Sequence, residues 1–219
     1  MGYTRVLVRA LLFLAICGGC ISPARHHDEV SLSASTGTTQ GSLSENALST
    51  ARKAIHAATV GGAAGEYIRN QMDKQAAELN KQFKFGHAQR IDEGILVTVP
   101  AALLFKLYGA SLRDSAQKAL SGLAGILNKY HGTDLLIEGH TDTVGSEQYN
   151  LELSKRQAEA VGNFLIGRGV AASRLKLVGF GGAEPLNAGH DPAALEANRR
   201  IEIVIFAGAQ LKAEAGPRH

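Results

Sequence analysis

The sequence predicts an α+β fold, an α/β sandwich in which helices pack on a mixed sheet, on three observations. Short, mostly apolar runs, each with a β-branched member, recur at Ile95–Val99, Leu135–Glu138, Leu175–Val178 and Ile201–Phe206, each the length of a strand. Two longer stretches, Leu112–Tyr130 and Glu147–Arg168, repeat apolar residues at helical spacing. Glycines and short polar loops punctuate the joins. The resulting order, β-α-β-α-β-β, requires a layered arrangement with right-handed crossovers.

Taken from the start, Met1–Arg9 carries Arg5 and Arg9 and no acid, Ala10–Ile16 reads ALLFLAI, and Cys17-Gly18-Gly19-Cys20 follows. A basic start, an apolar run too short to span a bilayer and small residues near a cut site make residues 1–19 a secretory signal peptide. Residues 20–45 include SLSASTGTTQGSLS, offer little to fill a core and read as a flexible linker. About 30 such residues reach at most roughly 100 Å when extended and much less as a coil.

Residues 46–85 have helical composition without proline, interrupted at Gly61-Gly62-Ala63-Ala64-Gly65. One long helix and two shorter ones both fit, because each glycine costs about 1 kcal/mol against alanine inside a helix. Small residues four apart, such as Gly61 and Gly65, also let helices approach closely. Lys53, His56, Glu66 and Arg69 flank the stretch too closely for it to span a membrane.

Residues 86–207 hold the strands and long helices. Asp92-Glu93-Gly94 turns the chain into the strand Ile95–Val99, which Pro100 ends. Leu112, Ala116, Ala119, Leu120, Leu123, Ile126 and Leu127 make one helix face, with Gly132 just past its end. The strand Leu135–Glu138 runs into a polar loop, His140–Gly145. Ser146 then caps a helix that has Glu147 in its first turn and Leu153, Ala158, Val161 and Leu165 as its buried stripe. Gly169 closes that helix. Gly179–Gly182 reads as a loop after the next strand, and Asn187–Glu196 as a loop with a short turn. Ile201–Phe206 is the last strand, and residues 208–219 form a polar tail without a core pattern.

Composition removes several function classes. Aromatics are 5% of the 219 residues and Trp is absent, so the core is aliphatic. The net charge of +3 is not gathered into a basic stripe, which argues against nucleic acid as a partner. Cys17 and Cys20 both lie in the apolar N-terminal segment, so no disulfide is expected in the domain and CxxC redox chemistry is a poor fit. No helix is expected after Gly179–Gly182 to cradle a phosphate, and no nucleophile elbow or metal set is visible. The expectation is a protein without catalysis, cofactor or metal. His140 reads as a loop hydrogen-bonding residue, since no second metal ligand has suitable spacing, and His26-His27 falls in the linker.

The stretch Leu135–Arg156 organises the rest. Strand, short polar loop and helix place ligand sites at the carboxyl edge of a sheet. Asp142 sits on that loop, where it either receives a cation or satisfies loop amides.

EGHTDTVGSEQYNLELSKRQAEAV, then LVGFGGAEP, then NRRIEIVI, resemble in order and spacing the OmpA-like peptidoglycan-binding domain, from about Arg90 to Phe206. The resemblance implies that Asp142 contacts the ammonium of the diaminopimelate residue in the peptidoglycan stem. The free end of that residue pairs an ammonium with a carboxylate, and the carboxylate calls for a guanidinium or an equivalent donor. The family's arginine lies three residues after the position of Ser154, and here that position is Gln157. Arg156, one residue and about 100° earlier on the helix, points to solvent. A neutral Gln157 amide in place of the arginine weakens binding by on the order of 1–2 kcal/mol, or roughly tenfold.

Asn198-Arg199-Arg200 matches the family's NRR motif. Successive strand residues face opposite sides, so one arginine meets the ligand and the other braces the fold, with Arg200 the expected contact. Asn150 matches a family asparagine at the loop–helix junction, and Thr141 offers a hydroxyl or an amide. The expected ligand set is thus Asp142, Thr141, Asn150, Gln157 and Arg200.

Residues 17–20 resemble a bacterial lipobox with Cys20 as the lipid-modified residue, although Cys17 stands where Leu or Val is usual. Several acyl chains on one cysteine anchor a protein stably. Ile21, not being aspartate, implies the outer membrane. The expectation is a non-catalytic lipoprotein on the periplasmic face of the outer membrane that binds peptidoglycan. The alternative is an adapter for other envelope proteins on the same fold, its wall binding weakened by Gln157.

Overall fold

The computed structural model describes residues 48–216. The expected signal peptide, the linker and Cys20 lie outside the described residues. Helix α1 (Leu48–Ala58) and helix α2 (Gly62–Gln82) come first. The glycine-rich stretch is therefore a break between two helices. Gly61 and Gly62 adopt φ values of 71° and 59°, a conformation that a Cβ would disfavour. Gly65 meets no second helix. A Cβ there would lie 2.3 Å from Oε1 of Glu93, a carboxylate buried to 3% exposure. That carboxylate accepts from the Val60 and Gly61 amides at 2.9 and 3.2 Å and from Arg69 at 3.0 Å. It closes the turn between the helices and satisfies amides at the start of α2.

Five strands follow: β1 (His87–Ile91), β2 (Gly94–Pro100), β3 (Thr133–His140), β4 (Leu175–Gly181) and β5 (Arg200–Ala207). Their order in the sheet is β1-β2-β5-β3-β4. β3 and β4 are parallel, joined through helix α5 (Glu147–Ile166), and the other neighbours are antiparallel. The mixed sheet with packed helices is the α+β class that the sequence implies. Helices α3 (Ala101–Leu104), α4 (Asp114–Lys129), α6 (Pro192–Asn198) and α7 (Ala209–Ala215) complete the chain.

Four elements differ from expectation. HAQRI forms β1, a hairpin partner of β2 across a turn in which Asp92 takes φ 45°. Only Ala88 and Ile91 of that strand are buried, so its sequence carries little alternation. The glycine stretch is not a loop, because β4 runs through Gly181 beside β3. α6 begins within the 187–196 segment and runs to Asn198, started by Pro192 and capped by Asp191, which accepts from the Ala193 and Ala194 amides. The tail contains α7, whose Leu211 is buried at 5% exposure in the main core.

Strand alternation divides the interior. Ile95, Val97, Val99, Leu135, Ile137, Ile201, Ile203 and Ile205 share the main core with residues of α2, α4, α5 and α7. Leu96, Leu136 and Val204 face the other way, against Ala51 and Ile55 of α1. The boundary expected at residue 86 therefore matches no gap in packing. α2 supplies Ile68, Met72, Ala76 and Leu79 to the main core, and α1 covers the opposite face. α5 sits so close to the sheet that a Cβ on Gly139 would lie 2.1 Å from the Ser154 carbonyl oxygen. Among the described residues, no helix is long and apolar enough to cross a membrane.

Candidate ligand-binding site

The loop after β3 is held from several directions. The Thr141 amide donates to the Gly181 carbonyl at 2.8 Å, which carries the β3–β4 edge one residue further. The Thr141 hydroxyl donates to the Asp142 carbonyl at 2.9 Å. Asn150, in the first turn of α5, donates its side-chain amide to the carbonyls of Asp142 and Val144 at 3.2 and 3.1 Å. Ser146 caps α5 as expected, accepting from the Tyr149 amide. Ser154 accepts from the Gly181 amide at 2.9 Å and so fastens the end of β4 to α5.

Asp142 is thereby fixed at the floor of a pocket of about 120 Å³. Its Oδ1 accepts from the Val144 amide at 3.0 Å, an Asx-type turn contact. Its Oδ2 meets Nη1 of Arg199 at 2.5 Å. Asp142 thus satisfies a loop amide with one oxygen and presents the other to a cation. Phe105, Leu107, Tyr108 and Leu153 form apolar walls, and Lys106 and Arg113 stand at the same pocket.

Arg199 and Arg200 divide as strand neighbours should, but the assignment is the reverse of the expected one. Arg200 is buried at 1% exposure on the α1 side, where its Nε donates to Glu202 at 2.6 Å and its Nη groups donate to the carbonyls of Asn198 and Glu184. It braces the fold and does not line the pocket. Arg199 lines it instead. Asn198 fixes the approach to both arginines by exchanging two hydrogen bonds with the Asn187 backbone. A signal for Arg199 is present in the sequence: it shares parity with Ile201, Ile203 and Ile205, which enter the main core on the pocket's side of the sheet.

Gln157 lies at the pocket, 4% exposed, while Arg156 is exposed as expected. The Gln157 amide does not await a ligand, because it donates to the Gly109 carbonyl at 2.7 Å. That bond fixes the loop carrying Lys106, Leu107 and Tyr108. Asn150 and Thr141 also line the pocket, with their donors committed to loop carbonyls. Of the expected set, Asp142, Thr141, Asn150 and Gln157 come together, Arg200 does not, and Arg199 joins them.

His140 is not a loop residue. It ends β3, is 1% exposed, makes no hydrogen bond through its ring nitrogens and stacks on Phe180 at 5.3 Å between ring centroids. Two residues from it on the same strand face is Glu138, and opposite Glu138 in the register is Glu202. Pairing of β3 with β5 also brings Glu202, 62 positions along the chain, close to His140, a neighbour that sequence spacing does not reveal.

Known proteins share this architecture. A family model described as the OmpA family matches residues 104–199. The peptidoglycan-associated lipoprotein of Agrobacterium fabrum is 31% identical over 146 residues, 67% of this chain and 82% of that protein. The probable lipoprotein YiaD of Escherichia coli is 31% identical over 148 residues, and the match spans 67% of this chain and 66% of that protein. A solved structure described as the cell wall anchor of the T6SS from Pseudomonas aeruginosa is 28% identical with a TM-score of 0.55, over 64% of this chain and 99% of that one.

Proposed function

The chain belongs to the OmpA family, and from that premise we propose that it is a non-catalytic envelope protein that binds peptidoglycan. The observation that carries the reading is the acid–base pair of Asp142 and Arg199 at the floor of a pocket. Relatives named peptidoglycan-associated lipoprotein support it.

The finer reading concerns the ligand. The free end of diaminopimelate carries an ammonium and a carboxylate on one carbon. A zwitterion of that kind matches a paired carboxylate and guanidinium, ammonium to Asp142 and carboxylate to Arg199. Each side exchanges a partner of the same charge, so no buried charge is left unpaired on binding, which would be costly. Arg199, and not the amide of Gln157, supplies the charge-assisted donor. Thr141 and Asn150 hold the loop so that Asp142 needs no reorganisation, and Phe105, Leu107 and Tyr108 shield the contact from water and so strengthen it.

The anchor is the second finer reading. Cys20 carries the lipid, the N-terminal segment tethers the folded part, and the protein sits on the periplasmic face of the outer membrane. Relatives named as lipoproteins support this arrangement. Co-sedimentation with purified diaminopimelate-type sacculi tests the binding role. The wild type is expected in the pellet and Asp142→Ala in the supernatant. Equal retention of the two overturns it.

A further inference from the structure

On the sheet face covered by α1, Glu138 of β3 and Glu202 of β5 are register partners, and His140 lies two residues beyond Glu138. All three are at most 1% exposed. Yet both oxygens of Glu138, both ring nitrogens of His140 and one oxygen of Glu202 lack a hydrogen-bond partner, as does a buried oxygen of Glu184. Nearly all native buried polar atoms find a partner, so a concentration of bare ones in a single place points to a missing group. One ligand atom from each of Glu138, His140 and Glu202 lies within 4.8 Å of the others.

We propose that Glu138, His140 and Glu202 form a binding site for a divalent transition-metal ion. Charge supports it. Glu138, Glu202 and Glu184 gather around one guanidinium, Arg200, which holds Glu202 at 2.6 Å. With every carboxylate ionised the three glutamates outnumber Arg200 by two charges, and the other cation acting on Glu138, Lys176 of β4, is exposed, so a dication offsets the buried excess.

One imidazole with carboxylates and no thiolate suits zinc or manganese better than the all-oxygen sets of calcium. The His140 Nε2 to Glu202 Oε2 distance of 4.0 Å leaves the ligands to close onto the ion by side-chain rotation. Glu184 extends the cluster to α1, since its other oxygen accepts from the Thr50 hydroxyl at 2.7 Å. The ion would therefore lie beneath α1 and hold that helix to the sheet.

Zinc titrated into the full chain after chelator treatment, followed by calorimetry and thermal melting, tests the site. One zinc per chain is expected, with a raised Tm and, in Glu138→Gln, binding weakened by more than the roughly tenfold to 100-fold that loss of an outer-shell partner costs. If that variant fails to fold, X-ray absorption of zinc-loaded wild type decides. One imidazole nitrogen with carboxylate oxygens at about 2.0–2.2 Å supports the site. Absence of zinc uptake overturns it. So does a zinc shell containing sulfur, which Cys17 or Cys20 would supply, or uptake unchanged in a folded Glu138→Gln.

Discussion

Nη1 of Arg199 lies 2.5 Å from Oδ2 of Asp142, and the two differ in access: the aspartate side chain is 1% exposed and the arginine 25%. The arginine is the half of the pair that can swing away. Asp142 is fixed by its own bond to the Val144 amide and by a loop that Asn150 spans. Arg199 hangs from the end of α6 with one face toward the pocket. A ligand ammonium that takes the arginine's place at Asp142 frees a guanidinium for the ligand's own carboxylate.

Position 157 offers a gain-of-function test. Gln157→Arg adds a guanidinium to those of Arg199 and Arg113 at the pocket. Affinity for a stem peptide ending in diaminopimelate is expected to rise roughly tenfold, through an added charge-assisted bond of about 1.5–3 kcal/mol partly offset by repulsion from Arg199. Calorimetric titration of the variant against wild type checks this.

Glu93 ties the turn between α1 and α2 to the hairpin of β1 and β2. Glu93→Ala leaves the Val60 and Gly61 amides and Arg69 without their acceptor. A loss of about 2–3 kcal/mol is expected, as for a buried charged acceptor, measured as a lower midpoint in urea with the slope unchanged.

Leu211 tests whether the C-terminal helix belongs to the fold. Truncation of a buried leucine costs about 2–5 kcal/mol, and the lower end applies at Leu211 because α7 is short and terminal. Leu211→Ala should lower the Tm measurably, whereas a solvated tail would leave it unchanged.

The anchor has its own test. Metabolic labelling with a radioactive fatty acid should mark the wild-type protein in cells and not Cys20→Ala. Label retained in the variant would refute lipidation at that residue.

Four of the five strands are legible as short apolar runs and the long helices from apolar residues at three and four, and the loop carrying Asp142 because glycine, caps and polar residues cluster there; β1, with only Ala88 and Ile91 buried, is not. What was not legible depended on pairing across distance. The choice between Arg199 and Arg200 needed to know which sheet face holds the pocket. His140 looked like a loop residue because its glutamate neighbours come from strand alternation and from β5. Nothing in the even-numbered residues of β5, Arg200, Glu202, Val204 and Phe206, shows that α1, far away in the chain, lies over that face. α7 shows a single deeply buried side chain, too few for a periodic signal.

The central claim is that Asp142 and Arg199 together grip a zwitterion, and the most direct measurement compares two ligands. Calorimetric titration with a diaminopimelate stem peptide, and with the same peptide whose terminal diaminopimelate carboxylate is amidated, separates the two contacts. The free acid should bind at least roughly tenfold tighter, the worth of one charge-assisted bond, and Arg199→Gln should erase the difference while Asp142→Ala abolishes binding of both. Equal affinity of wild type for the two peptides, or unchanged binding in Asp142→Ala, would contradict it.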